Sequence, residues 1–324
     1  MLTNFTRRAA LATLLAAPAL SLRAQGIAEG KPIRLVVPFA PGGSPDIIAR
    51  LVAPELSRAL GGQPVVVDNR PGANGGIGIG GVVRATPDGT TLLVGNLGTL
   101  AINPAVYEQL PYDPKALTPI TRAGTSALVL AVPGSSDIRT VGELVARAKA
   151  RPRELTYSSG GNGTASHLAA AFFTQLAGIE MLHVPYRSTV AAATALVTSE
   201  VNCNFGGQGA VWPLTEGGQV RAIAVTGAQR EPGREVPTVI EGGLPGFEVV
   251  DWFGVLAPAG MAPALVGQLN AALNAILAQP EIAAKLAVQG ILAGGGTPEQ
   301  FATFTAAEQE KWARTARAAQ IKVE

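Results

Sequence analysis

The sequence predicts an α/β protein whose two successive strand–helix units form two lobes around a cleft. Apolar runs of strand length alternate with stretches of helical periodicity along most of the chain, which implies mostly parallel sheets covered by helices. The alternation pauses after Asn96 and restarts at Leu128. No low-complexity linker separates the two units, so the lobes are expected to be joined by crossing strands near residues 122–128 and 247–255.

Ile33–Phe39 is an apolar run stopped by Pro41-Gly42-Gly43, and it reads as a buried strand. Ser44 is the expected N-cap of a helix over Pro45–Leu60, with Pro45 in its first position and Ile48, Val52 and Leu56 on its apolar face. Val65–Asp68 is the next strand, Asn74–Ala85 a glycine-rich helix and Thr91–Asn96 a strand. In the second unit Leu128–Val132, Leu155–Ser158, Met181–Val184, Val201–Phe205 and Arg221–Thr226 read as strands. Thr140–Ala150, with a capping box of Thr140 and Glu143, Thr164–Ala177 and Thr189–Thr198 read as helices. After the long apolar run Phe247–Leu256, three helices close the chain: Pro263–Ala278, Pro280–Gln289 and Pro298–Ala319.

Residues 1–24 read as an export signal. Arg7 and Arg8 precede the small apolar run Ala9–Ala19, which is too short to span a bilayer and is interrupted by Pro18. The twin arginines suit one export route, but the bulky residue usual after the pair is missing, so both routes stay open. Of the 25 basic residues, Arg7, Arg8 and Arg23 leave with the signal, so the mature chain has 22 against 23 acidic ones. That balance gives no electrostatic drive toward nucleic acid or anionic lipid. One Cys and two His exclude a disulfide framework and a multi-ligand Cys/His metal site, and Cys203 reads as a buried strand residue. No metal and no cofactor is expected.

The chemical signal is a pair of glycine loops, Pro38–Asp46 and Tyr157–Thr164, each at the carboxyl end of a strand and opening a helix. Free N–H groups and the positive helix end make an anion site there without Lys or Arg. Ser44 and Thr164 add hydroxyls. Asn96 and Thr99 follow another strand and are candidates for the same cleft, where a plain turn is the alternative. Tyr186 and Arg187 end a further strand, and His167 lies one turn into the helix after Thr164, where a structural histidine is the alternative. Gly76–Gly81 matches G-x-G-x-x-G but does not directly follow a strand, and position 96 is Asn rather than an acid, which argues against a dinucleotide site. No nucleophile elbow, H-E-x-x-H or P-loop occurs, so the chain is not expected to be an enzyme.

These motifs carry a resemblance. Ile33–Asp46, Val65–Ala73, Pro87–Leu93, Ala101–Tyr107, Leu110–Pro114, Gly160–Leu168, His183–Arg187, Gly243–Phe247 and Trp252–Gly260 stand in the order found in the Bug-type (TctC-like) periplasmic receptors of tripartite tricarboxylate transporters, which the chain resembles over nearly its whole mature length. The resemblance implies a type II-like two-lobed periplasmic-binding-protein fold, α/β, with mixed sheets flanked by helices and a ligand cleft between the lobes. It places residues 25–124 and 250–324 in lobe I and residues 125–249 in lobe II. Carried over residue by residue, it implies ligand contacts from Phe39, Gly43, Ser44, Asp46, Ser159, Gly160, Asn162, Gly163 and Thr164, with Asn96, Thr99, His167, Tyr186 and Gly206 as further candidates. Many relatives have an acidic residue then Asn where this chain has Gly206-Gly207, and Gly is frequent where it has Ser188. The implied function is periplasmic capture of a small carboxylate by a monomer and its delivery to membrane permease subunits. The alternative is presentation of the ligand to a sensor kinase.

Overall fold

The computed structural model describes residues 30–231 and 233–322. The expected export signal lies outside the described residues. The chain begins with β1 (Ile33–Val37), α1 (Ser44–Ala59), β2 (Val65–Asn69), α2 (Gly76–Val83), β3 (Thr91–Asn96) and, after a π-helical segment Gly98–Ile102, the short α3 (Asn103–Val106). It continues as β4 (Leu117–Pro133), α4 (Val141–Ala150), β5 (Thr156–Ser159), α5 (Ala165–Ala177), β6 (Leu182–Pro185), α6 (Thr189–Val197), β7 (Cys203–Gly207), α7 (Gln208–Glu216) and β8 (Val220–Val225). It closes with β9 (Val250–Pro258), α8 (Pro263–Leu277), α9 (Pro280–Val288), β10 (Leu292–Ala293) and α10 (Pro298–Ala318).

The 17-residue β4 organises both halves. Up to Ala127 it pairs antiparallel with β9, from Leu117↔Pro258 to Ala127↔Val250. From Leu128 onward it pairs with β7 and β8 instead, with Leu128↔Gly207 and Pro133↔Val220 marking the limits. One half therefore runs β2-β1-β3-β9-β4, with β1 parallel to both neighbours, and the other runs β4-β7-β5-β6 with β8 on the far side of β4. The switch of partners between Ala127 and Leu128 falls where a crossing was expected.

Sequence reading found only the Leu128–Val132 part of β4. That part is buried throughout, whereas the earlier part carries polar residues and Pro119, which sits beside a register irregularity where a missing N–H is tolerated. Helix α7 was also missed, because Gly209 and Pro213 interrupt its pattern. The N-cap of α1 is Gly43 rather than Ser44; Ser44 is the first helical residue and makes no cap bond.

One core lies within the first half, and a second runs through both halves. Ile48, Val52 and Leu56 of α1 pack with Leu35 and Val37 of β1 and with Leu269 and Leu273 of α8. On the other face Phe173, Phe205 and Phe247 join one ring cluster, with centroids 5.3–6.2 Å apart. Helix α10 returns to the crossing strands. Trp252 of β9 and Trp312 of α10 both donate their indole N–H to Glu308 Oε2 at 3.0 Å, so one carboxylate satisfies two fully buried indoles. No helix among the described residues is long and apolar enough to cross a membrane.

Candidate ligand-binding site

The first loop leaves β1 through Phe39 and turns at Gly42, whose φ of 94° suits only glycine without strain. The Gly42 N–H donates to Asp46 Oδ2 at 2.9 Å. Arg50 Nε donates to the same oxygen at 2.9 Å, and Asn69 Nδ2 to Oδ1 at 3.0 Å. Burial raises the Asp46 pKa, but the bonds from Arg50, Gly42 and Asn69 outweigh it and hold the carboxyl below its ordinary value. Asp46 was a candidate contact; its buried carboxylate is occupied in bracing the loop. Among the described residues the N–H groups of Gly43, Ser44 and Asp46 have no acceptor, as a helix start requires unless something else caps it.

The second loop is tied from within. Ser159 Oγ, fully buried, accepts from the Gly161 N–H at 3.1 Å and lies 2.6 Å from His183 Nε2. The Gly160 N–H donates to Ser166 Oγ at 3.1 Å and the Gly163 N–H to His167 Nδ1 at 3.2 Å. Thr164 caps α5: its hydroxyl accepts from the His167 N–H and donates to the Gly161 carbonyl at 2.7 Å. Left without acceptors among the described residues are the N–H groups of Asn162, Ala165 and Ser166. The two loops thus present the same feature, a helix end with open N–H donors and no Lys or Arg in either loop.

Beneath the second loop the rings of His167 and His183 stack at 3.8 Å, and Tyr157 stacks on His183 at 5.0 Å. Burial pushes His167 down to about 3, helped by His183, and His183 down to about 4. Both rings are neutral near pH 7. His167 therefore acts on the loop through Gly163.

The other candidates divide. Thr99 is fully buried, and its hydroxyl and N–H hold Asn96 Oδ1 at 3.1 and 3.2 Å, which leaves the Asn96 amide NH₂ for the Asp251 carboxyl. Tyr186 directs its hydroxyl to Glu200 at 2.9 Å. Gly160 lies against Thr189 of α6. Gly206 is buried, and a Cβ there would overlap Asn204 Oδ1 and Val211 Cγ2; Gly207, by contrast, faces open space. Phe39 is half-buried against the α1 core, and its carbonyl accepts from Asn69 at 3.1 Å.

Residues 48–321 match the model of the tripartite tricarboxylate transporter family receptor. The chain belongs to that family. It is 39% identical over 317 residues to the UPF0065 protein in the tcbD-tcbE intergenic region of Pseudomonas sp. strain P51, covering 96% of this chain and 94% of that one. The structure of R. palustris Rpa4515 with adipate superposes with a TM-score of 0.82 at 35% identity, covering 91% of this chain and 99% of the other. MatC (Rpa3494) from Rhodopseudomonas palustris with bound malate gives 0.77 at 30% identity, covering 89% and 99%.

Sequence reading of this family member missed Asp251. It is the second residue of β9, opposite Ser126 of β4, and one of its carboxyl oxygens is buried without a hydrogen-bond partner among the described residues. No motif flags it, because it sits inside an apolar run as a strand residue. A cavity of about 400 Å³ opens elsewhere, between α7 and the turn from α9 to β10, lined by Gln208, Trp212, Glu231, Arg234 and Val288. None of the fourteen candidate residues lines it, and its charged groups are paired within it: Glu231 with Gln208 at 2.8 Å and Arg234 with Glu216 at 2.7 Å.

Proposed function

We propose that this chain is a periplasmic receptor that captures a small carboxylate between its lobes and passes it to the permease of a tripartite tricarboxylate transporter. The observation that carries this reading is the pair of helix ends with open N–H donors, one on each side of the β4 crossing. Such donors hold a carboxylate by charge-assisted hydrogen bonds and the helix dipole, at no cost of burying a cation. Two similar structures, Rpa4515 with adipate and MatC with bound malate, favour the same ligand class. Of the described residues, those up to 124 together with those from 250 form one lobe and those between them the other, and hinge closure at β4 and β9 buries the ligand. Ser159 Oγ, 2.6 Å from His183 Nε2, is fully buried, and among the described residues no acid pairs with His183, which favours a binding role over catalysis.

The ligand is a non-amino acid. An ammonium needs an acceptor once buried, while Asp46 is already paired, position 206 has no room for a side chain, and burial keeps the unpartnered Asp251 carboxyl neutral below about pH 7. A thermal-shift screen tests the reading. At 100 times Kd a carboxylate stabilises the protein by about 2.7 kcal/mol, a rise of several degrees. Shifts from amino acids alone would refute it.

A further inference from the structure

Asp251 stands where a ligand held by the helix ends would extend. The β1–β3 register (Val36↔Leu93) sets Phe39 level with Asn96, and Asn96 pairs with Phe253 of β9. Asp251 is therefore two residues beyond the carboxyl end of β3, the edge at which open α/β sheets bind ligands. Its partner Ser126 is two residues from Leu128, whose partner is Gly207. Asp251 thus lies at the crossing of the two halves, on the opposite edge of β4 from β7.

Its surroundings are unusual for a carboxylate. The groups that face it are the Asn96 amide from β3, the N–H groups of Leu97 and Trp252, and Ser126 across the β4 pairing; none is charged or titratable. Burial pushes the carboxyl up to about 7, only partly opposed by Asn96 and the two N–H groups. Oδ1 is covered and has no partner. A buried acceptor without a partner costs about 1–3 kcal/mol and calls for a group that completes it. An ionised Asp251 would repel a second acidic group on the ligand, whereas a neutral one can donate to it.

We infer that Asp251 reads the far end of a dicarboxylic ligand: in its neutral form it donates a hydrogen bond to the second carboxylate while the first sits on the helix-end N–H groups. This rests on the receptor reading above and names its substrate class. Above neutral pH the Asp251 carboxylate takes up one proton from solvent on binding, so dicarboxylate affinity falls as pH rises.

The test uses titration calorimetry with the dicarboxylates succinate to pimelate and the matched monocarboxylates butyrate to heptanoate, at pH 6 and pH 8. The best dicarboxylate is expected to lose about tenfold in affinity between the two pH values, with proton uptake visible in buffers of different ionisation enthalpy. The monocarboxylates should show neither effect. Asp251→Asn, which keeps a donor, should bind the dicarboxylate with no pH dependence, and Asp251→Leu should lose the preference for dicarboxylates. The wild-type buffer comparison stands without either variant. A pH-independent wild-type affinity or an unchanged slope in Asp251→Asn would overturn the inference and leave the receptor reading intact; glutamate binding that Asp251→Asn abolishes would overturn the inference and the non-amino ligand class with it. Failure of every carboxylate to bind would remove both.

Discussion

The imidazoles of His167 and His183 lie face to face, 3.8 Å between centroids and 8° from parallel, and through Gly163 and Ser159 they hold the second glycine loop. Two rings at that distance cannot both carry charge cheaply. Stability should therefore depend on pH with a definite sign. Both pKa values are depressed by burial, to about 3 and about 4, from 6.5. The unfolded chain takes up protons that the folded state refuses, so stability present above about pH 6.5 is lost as pH falls toward 4 and then 3. The slope is about 1.4 kcal/mol per pH unit for each ring. Melting temperatures from pH 7 to pH 4 should fall steeply for wild type and less steeply for His183→Gln. Equal slopes would show that the stack does not titrate as a unit of the fold.

The first loop offers a substitution that separates binding from folding. Ser44 is the first residue of α1, where proline is tolerated because its N–H has no helical acceptor. Ser44→Pro should leave the melting temperature within about two degrees and weaken carboxylate binding about tenfold or more, the loss of one hydrogen bond to a charged group. Gly163 is not equivalent. Its φ is 74° and its N–H is used by His167, so Gly163→Val should cost stability as well as binding.

Position 206 can be separated from position 207 in the same way. Gly206→Asp places a Cβ on Asn204 and Val211 and should destabilise by about 1–3 kcal/mol through overpacking. Gly207→Asp meets open space and should fold normally while reducing affinity for carboxylates, since it adds an anion beside the crossing. Chemical denaturation with calorimetry on the two variants checks the contrast, which fails if Gly206→Asp is as stable as wild type.

Cys203 is fully buried in β7, and burial pushes its thiol up to about 12. It should resist thiol reagents in the native protein at pH 8 and react fully once unfolded. Native labelling at the rate of a free thiol would contradict the burial of β7.

Most of the fold was legible because its elements are marked locally. Thr140 and Glu143 form the expected capping box, and Thr91–Asn96 has the expected limits, since apolar runs and caps are short-range signals. What was not legible depends on long-range pairing. The early half of β4 is polar enough to hide a strand, and its pairing with β9 and β10 explains it. The loops themselves were recognisable from glycine and their place before helices, but which donors stay open was not. Gly163 looks like a contact in the sequence until His167 Nδ1 is seen to take its N–H. Asp251 gave no signal at all, because its meaning comes from Asn96 and Ser126 on two other strands.

The most direct measurement is a crystal structure of the protein with the dicarboxylate that stabilises it most. One carboxylate should lie within about 3 Å of N–H groups from both Gly43–Ser44 and Asn162–Ser166, with the lobes closed over it. A ligand found instead in the cavity beside Trp212, or held by one loop alone, would contradict the account.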